Sequence, residues 1–257
     1  MTMRLSTSLR NYLNKYGGVD EALRGGRIEI YSGAQPATPA TAASGTLLCT
    51  ITSSAGAHTA EVLSTGTVTL NTGASGSVDT LTVNSVEVMG AAVPFNTSLT
   101  QTAADVAAQI NRYQSVPNYS ATSSGAVVTI SALRGTGTGP NGFVVASTVT
   151  TITKTDANMA GGVASANGLL FSEPTSGVMS KLSTQTWSGT NAATGTAGWF
   201  RQYGSVADTG TADSTDVKIR LDGAIATSGA EMNLNSTAFT SGATTTLSSW
   251  SMTVPAA

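Results

Sequence analysis

Charged side chains are scarce along this chain, and their scarcity limits the kinds of surface that it can form. Lysine, arginine, aspartate and glutamate together make up 10% of its 257 residues, whereas soluble domains carry roughly a quarter. Threonine and serine alternate along strand-like stretches instead. Because charge normally keeps protein surfaces apart in solution, we expect a mainly β protein whose surfaces contact other protein.

The rest of the composition argues against several classes of protein. The formal net charge is −2, unlike the basic footprint of a nucleic-acid binder, so we predict no nucleic-acid partner. A single cysteine, Cys49, rules out an intrachain disulfide, and its apolar neighbours predict that it is buried. The sequence lacks both a secretory signal and a run of ~20 apolar residues, so we expect synthesis in a cytoplasm and no membrane partner.

Residues 1–26 are predicted to form an amphipathic helical segment. Leu5, Leu9, Leu13 and Tyr16 recur at spacings of three and four, which places them on one face of a helix. This stripe either covers an open end of the chain's own core or docks into a neighbouring subunit. Both interpretations remain open at the level of sequence.

Residues 27–65 and 166–257 are predicted to form a split β-sandwich, the base domain. Their strand-like stretches show apolar side chains at alternate positions or a concentration of aromatic side chains. These stretches are residues 27–31, 46–52, 198–203, 216–222 and 250–255.

Residues 66–165 are predicted to form an inserted α+β module in the order hairpin, helix, hairpin. Asn84 and Ser85 suit a tight turn between two short strands. A helix is predicted over residues 102–113, with Thr102 and Asp105 at its start. The predicted apolar stripe of this helix is Ala103, Val106, Ala107 and Ile110. Glycine-rich edges favour insertion over the alternative of three consecutive small domains.

Several separated segments resemble uncharacterised virion proteins of tailed bacteriophages, and they occur in the same order. The matching segments are residues 3–11 (MRLSTSLRN), 28–37 (IEIYSGAQPA), 45–48 (GTLL), 195–201 (GTAGWFR) and 228–237 (SGAEMNLNST). Residues 79–84 (DTLTVN) and 102–107 (TAADVA) resemble a β-rich module that is grafted onto many phage structural proteins.

The resemblance implies a non-enzymatic structural component of the virion, attached to the tail, neck or head through β-surface contacts. A capsid decoration protein is the alternative within this class. The implied partners are tail, neck or major capsid proteins and further copies of the chain. The protein would be made in the cytoplasm of the bacterial host and located in the virion.

Sequence patterns typical of catalysis and cofactor binding are weak. His58 is the only histidine, and no G-x-S-x-G motif occurs, so we predict no catalytic residue. Residues 137–142 match G-x-G-x-x-G, but a strand rather than a helix is predicted to follow. We therefore interpret this segment as a hairpin loop and predict no cofactor.

Four aspartates lie close together near the end of the chain without the spacing of a calcium loop. We interpret them as solvated turn carboxylates, so no metal site is predicted. They are Asp208, Asp213, Asp216 and Asp222.

The three tryptophans define the main rival hypothesis. Trp199 and Trp250 lie in alternating strands and are predicted to pack in the core. Trp187 is predicted to be exposed, where it could contact a host-surface glycan. A carbohydrate- or host-surface-binding module is therefore the alternative from another class, and a hydrolase with paired carboxylates is a third.

Overall fold

The structure is a computed structural model that describes residues 3–253. It is mainly β, with 42% strand and 11% helix, which confirms the prediction of a mainly β fold with few helices. The chain divides into two compact units, Met1–Glu61 with Ser165–Ala257 and Val62–Ala164. The junctions therefore lie at 61/62 and 164/165, compared with 65/66 and 165/166 expected from the sequence.

The elements follow one another in three stretches of chain. Residues up to 61 form β1 (Arg4–Leu5), α1 (Thr7–Lys15), α2 (Val19–Leu23), β2 (Ile28–Ser32) and β3 (Leu47–Ser53). Residues 62–164 form β4 (Thr65–Thr72), β5 (Ser77–Val83), β6 (Val86–Glu87), β7 (Val93–Pro94), α3 (Leu99–Arg112), β8 (Tyr119–Ser124), β9 (Val127–Ala132), β10 (Val145–Thr150) and β11 (Thr153–Ala160). Residues from 165 onward form β12 (Val178–Ser180), β13 (Trp187–Thr190), β14 (Gly195–Tyr203), β15 (Arg220–Ala226), β16 (Met232–Asn233), β17 (Ala238–Phe239), β18 (Thr244–Leu247) and β19 (Ser251–Thr253).

The first unit is built on one nine-stranded sheet. Seven of its strands follow the order β1-β15-β14-β2-β3-β13-β18, with β16 paired to β15 and β17 paired to β14. Strands β12 and β19 form a separate two-stranded sheet. Ile28, Ile30 and Phe200 belong to the apolar core of this unit, together with Leu9 of α1 and Leu23 of α2.

Two predictions for the strands of this unit have different outcomes. Residues 198–203 lie in β14, with Trp199 and Phe200 fully buried, as predicted for a core strand. The predicted strand over residues 216–222 is wrong in its first half, because β15 begins only at Arg220. The Asp213 carboxylate accepts hydrogen bonds from the backbone N–H groups of Val217 (3.3 Å) and Lys218 (2.8 Å). This local turn competes with strand pairing, and Val217 is left 58% exposed.

The last strand is shorter in the described residues than the sequence suggests. The prediction covers residues 250–255, and β19 spans Ser251–Thr253. Val254 and Pro255 lie outside the described residues.

The second unit contains two four-stranded sheets and helix α3. One sheet has the order β10-β5-β6 with β7 also paired to β5, and the other has the order β11-β4-β9-β8. The predicted turn joins β5 to β6, with φ of 49° at Asn84 and 68° at Ser85. Left-handed values at both central positions are those of the hairpin turn that asparagine favours, so this prediction is confirmed.

Helix α3 begins three residues earlier than its predicted start. Ser98 is the N-cap, and its hydroxyl accepts a hydrogen bond of 3.1 Å from the N–H of Gln101. The Thr102 hydroxyl donates to the Ser98 carbonyl at 2.8 Å, so the predicted cap at Thr102 is wrong. The four predicted stripe residues of this helix are all buried in the unit's own apolar core, as expected.

Candidate assembly surface

Trp187 is fully buried, so the prediction that it contacts a ligand at the surface is wrong. Its strand lies between β3 and β18 inside the nine-stranded sheet. Its indole Nε1 donates to Gln185 Oε1 at 2.7 Å, and its ring meets Phe171 edge to face at a centroid distance of 5.5 Å. Trp199 and Trp250 are buried as predicted. The glycan-binding hypothesis therefore loses its aromatic contact.

The predicted docking stripe near the N-terminus packs against the core of its own unit. Leu9 is fully buried, and Leu5, Leu13 and Tyr16 are partly buried against the same core. Leu5 lies in β1 and Tyr16 is the C-cap of α1, so only two of the four predicted residues are within the helix. Of the two interpretations left open by the sequence, the structure contains the one in which the helix covers its own core.

Much of the charge in the first unit is buried inside it. The guanidinium of Arg201 donates two hydrogen bonds of 2.7 Å to the carboxylate of Asp222, and both side chains are fully buried. Arg220 makes a similar pair with Asp208, at 2.6 and 2.7 Å. These four charged side chains therefore do not lie on the surface. The surface of the unit carries fewer charged groups than the composition of the chain suggests.

The interpretation of the four clustered aspartates as solvated turn carboxylates is wrong for three of them. Asp213 and Asp222 are buried, and the Asp208 side chain is only 5% exposed. Burial favours a higher pKa for Asp208, but hydrogen bonds from Arg220 and from the backbone N–H of Gly210 outweigh it and lower the pKa. No cluster of three metal-ligating side chains occurs among residues 3–253.

Three arginines fix one exposed loop of the first unit through its backbone carbonyls. The loop connects β2 to β3. Arg4 donates to the carbonyl of Pro36, and Arg220 Nη1 donates to that of Pro39 at 2.9 Å. Arg201 Nη1 donates to the carbonyl of Thr41 at 3.0 Å. The three guanidinium groups therefore have a structural role, because they hold this loop in place.

The only histidine and the only cysteine of the chain are hydrogen-bonded and buried, respectively. His58 Nε2 lies 3.0 Å from the Gly25 carbonyl oxygen, and burial lowers the pKa of the imidazole. Cys49 is fully buried, as predicted, and burial raises the pKa of its thiol to about 11.

A surface groove of about 410 Å³ lies between the start of α1 and residues 37–40, and its lining contains neither an acidic residue nor a histidine.

The glycine-rich segment of residues 137–142 connects two different sheets. It lies between β9, which pairs with β4 and β8, and β10, which pairs with β5. The hairpin interpretation of this loop is therefore wrong, because the strands on its two sides are not partners. A strand follows the segment, as expected from the sequence.

The outward side of the β11-β4-β9-β8 sheet is rich in hydroxyl groups and carries no charged side chain. We call this surface the hydroxyl face. Residues opposite one another in the strand register share a side of the sheet, and nine of the thirteen residues on this side are threonine or serine. The thirteen residues are Thr65, Thr67, Thr69, Asn71, Ser120, Thr122, Ser124, Val127, Thr129, Ser131, Thr155, Ala157 and Ala160.

All residues of the hydroxyl face are at least partly exposed, whereas the opposite side of the same sheet is apolar. Val68, Leu70, Val128 and Ile130 on that opposite side lie in the buried core of the unit. On the hydroxyl face, Asn71 Nδ2 donates to Thr155 Oγ1 at 2.9 Å. Side chains of neighbouring strands thus interact with each other, which orders a surface without charges.

Charged residues of this unit are few, and the two that occur in the strands of this sheet lie on the side opposite the hydroxyl face. Lys154 and Asp156 of β11 are opposite Leu70 and Val68, which places them on the core side of the sheet. There, the Asp156 carboxylate accepts hydrogen bonds of 2.8 Å from both the N–H and the hydroxyl of Ser147. The unit has seven charged residues in all: Asp79, Glu87, Asp105, Arg112, Arg134, Lys154 and Asp156.

The hydroxyl face could be anticipated only in part from the sequence. Threonine alternates with apolar residues through residues 65–70, which indicates one polar and one buried side of a strand. Nothing local indicates that the polar sides of four strands lie next to one another, because the register of β4 with β9 and β11 joins distant parts of the chain.

Comparison with family models, curated proteins and solved structures gives no match to this chain. In the part of the chain that the structure describes, no helix has both the length and the apolar character required to cross a membrane.

Proposed function

We propose that this protein is a non-enzymatic structural component of a tailed-phage virion that attaches to its neighbours through uncharged β surfaces. The observation that carries the proposal is the hydroxyl face, a four-stranded sheet surface without a formal charge. The order of phage-like segments along the sequence supports the virion as the setting.

Hydroxyl groups suit a surface that is covered during assembly. Burying an unpaired charge in an interface costs roughly several kcal/mol per ion, even after the surrounding protein has relaxed. A threonine hydroxyl both donates and accepts hydrogen bonds, so it finds a partner on most polar surfaces. The side chains of Thr67 and Thr129 lie opposite each other in the register and offer such groups without the cost of burying charge.

The proposed partners are tail, neck or major capsid proteins and further copies of the chain. Attachment to the tail or neck is the primary proposal, and capsid decoration is its alternative. In either place, many copies held by the symmetry of the particle would bind jointly, so that each single contact could be weak.

The proposal can be tested by placing charge on the hydroxyl face. Thr122 and Thr155 are exposed residues of β8 and β11, and the double variant Thr122→Lys/Thr155→Lys adds two positive charges to the face. Virions assembled with this variant should contain at least tenfold fewer copies than wild-type virions, as measured by quantitative mass spectrometry of purified particles.

A matched control adds the same charge elsewhere on the same unit. Thr100 and Ala108 are exposed positions of helix α3, so Thr100→Lys/Ala108→Lys should leave the copy number unchanged. Incorporation of both variants at the wild-type level would reject the hydroxyl face as the attachment surface. Absence of the wild-type protein from purified virions would reject the virion role itself.

A further inference from the structure

Strand β18 forms an open edge of the nine-stranded sheet. It is the last strand in the sheet order and pairs only with β13. The Asn191 N–H donates to the Ala243 carbonyl at 2.8 Å, so this carbonyl points toward the chain that continues β13. In an antiparallel pair this direction alternates along the strand, which turns the peptide groups of Thr244 and Thr246 outward. Among residues 3–253, no hydrogen-bond partner of these outward groups is found.

Other strand edges of the same protein are closed by side chains. At β8, Asn111 Nδ2 donates to the Ala121 carbonyl at 2.7 Å, and Asn111 Oδ1 accepts from the Ala121 N–H at 3.0 Å. At β10, Asn158 Oδ1 accepts from the Val145 N–H at 3.2 Å. These contacts use up the backbone groups through which another strand would pair.

The β18 edge also lacks the sequence features that protect exposed edges. Natural edge strands commonly carry charged residues or proline, which discourage pairing with another chain. The strand itself reads TTTL, and no charged residue or proline occurs between residues 232 and 253. The edge is short, at four residues, but nothing in its sequence opposes pairing.

We propose that β18 is a homotypic assembly edge, which pairs antiparallel with β18 of a second copy of this chain. An antiparallel edge is complementary to itself under a two-fold axis, because each outward N–H meets an outward carbonyl of the partner. Two identical uncharged edges bring no like charges together. The pairing would join two nine-stranded sheets into one continuous sheet.

Contacts inside the chain support a second copy as the partner. Threonines on neighbouring strands already bond to each other, with Oγ1–Oγ1 distances of 2.7 Å for Thr80–Thr148 and for Thr72–Thr153. Pairing with β18 of a second copy would likewise place threonines of one copy next to threonines of the other. The inference concerns copies of this chain alone and does not depend on the virion role.

Cysteine cross-linking gives a direct test, because the native Cys49 is fully buried and therefore unreactive. Single variants Thr244→Cys, Thr246→Cys and Ser248→Cys place a thiol along the edge, and Ser228→Cys places one on an exposed turn elsewhere in the same unit. Under mild oxidation, at least one edge variant should form disulfide-linked dimers at least tenfold faster than Ser228→Cys. Equal rates at all four positions would overturn the proposal.

Sedimentation provides a second measurement without cross-linking. The wild-type protein should show a concentration-dependent dimer, and Thr246→Lys should raise its dissociation constant at least tenfold, because each copy would bring a positive charge into the short paired edge. Unchanged circular dichroism would confirm that the variant is folded. A wild-type protein that stays monomeric up to millimolar concentration, or a Thr246→Lys variant that dimerises as well as the wild type, would overturn the proposal.

Discussion

The guanidinium of Arg201 and the carboxylate of Asp222 form a two-pronged hydrogen bond across neighbouring strands, with both contacts at 2.7 Å and neither side chain exposed to solvent. The two residues lie directly opposite each other in the register of β14 and β15. The chain has few charged residues, and this pair lies inside the sheet, where it joins two strands. The exposed surface therefore carries hydroxyl groups in place of these charges.

Removing one partner of this pair should destabilise the protein strongly. Asp222→Ala leaves a buried guanidinium without its carboxylate, and such a loss costs about 3–5 kcal/mol. The double variant Arg201→Met/Asp222→Leu removes both charges and should recover most of this stability. The free energy of unfolding from chemical denaturation would measure both effects.

A more exposed ion pair of the same unit provides the control. Arg24 Nη2 lies 3.2 Å from Asp20 Oδ2, and both side chains are partly exposed. Since ion pairs near the surface contribute roughly 0–1 kcal/mol, Asp20→Ala should cost less than 1 kcal/mol. A cost for Asp222→Ala as small as that for Asp20→Ala would contradict the assigned role of the buried pair.

The single histidine should make stability depend on pH below neutrality. Burial lowers the pKa of His58 in the folded protein from its ordinary value of 6.5, so the unfolded chain binds more protons in this range. Stability contributed by the neutral imidazole is therefore complete above pH 6.5 and is lost as the pH falls from 6.5 toward the folded pKa. Melting temperatures measured between pH 8 and pH 5 should fall in the wild type.

The variant His58→Gln isolates this effect, because no other histidine is present. Its melting temperature should fall less than that of the wild type between pH 6.5 and pH 5. Parallel curves for the two proteins would show that His58 titrates alike in the folded and unfolded chain.

The sequence predicts the features that depend on residues close together along the chain. Asn84 and Ser85 specify a turn by their own backbone preference, and the buried side of α3 follows from helical spacing. The sequence does not predict the burial of Trp187, because the tripeptide that follows it, Ser-Gly-Thr, does not alternate like a buried strand. Its burial comes from pairing with β3 and β18, which are distant in sequence.

The hydroxyl face and the open edge of β18 depend even more on pairing between strands that are distant in sequence. The sequence indicates that charge is scarce, but the partners that bury Arg201 and Arg220 lie 21 and 12 residues away. The open edge of β18 is likewise a property of the whole strand order. Composition therefore predicts the kind of surface, and only the topology gives its position.

A buried amide in β14 is predicted to reduce stability. Gln202 is fully buried, and within the described residues neither its Oε1 nor its Nε2 has a hydrogen-bond partner. A buried polar group without a partner costs about 1–3 kcal/mol. Gln202→Met keeps a similar volume without these polar atoms, so it should raise the free energy of unfolding by about 1 kcal/mol or more.

Gln185 offers a matched comparison in the same unit. Its Oε1 accepts hydrogen bonds from the Leu170 N–H at 2.8 Å and from Trp187 Nε1 at 2.7 Å. Gln185→Met removes the acceptor of both hydrogen bonds and should lower the free energy of unfolding. Chemical denaturation of the two variants should therefore give changes of opposite sign, and destabilisation by both would show that Gln202 is satisfied in solution.

The first unit is predicted to fold without residues 62–164. Thr59 and Ala166 exchange backbone hydrogen bonds of 3.1 and 3.0 Å, so the two chain ends left by the deletion lie side by side within this unit. An antiparallel pair of this kind can be closed by a short Asn-Gly turn. The apolar core of the unit is formed entirely by residues outside the deleted segment, so its hydrophobic stabilisation should be retained.

Tryptophan fluorescence can report on this deletion, because Trp187, Trp199 and Trp250 all lie in the retained unit and are buried. The shortened protein should show the blue-shifted emission of buried indoles and a cooperative unfolding transition. The isolated segment Val62–Ala164 should also fold, because its own core contains α3 and strands of both of its sheets. Aggregation of the shortened protein, or emission typical of exposed indoles, would show that the first unit requires the segment that interrupts it.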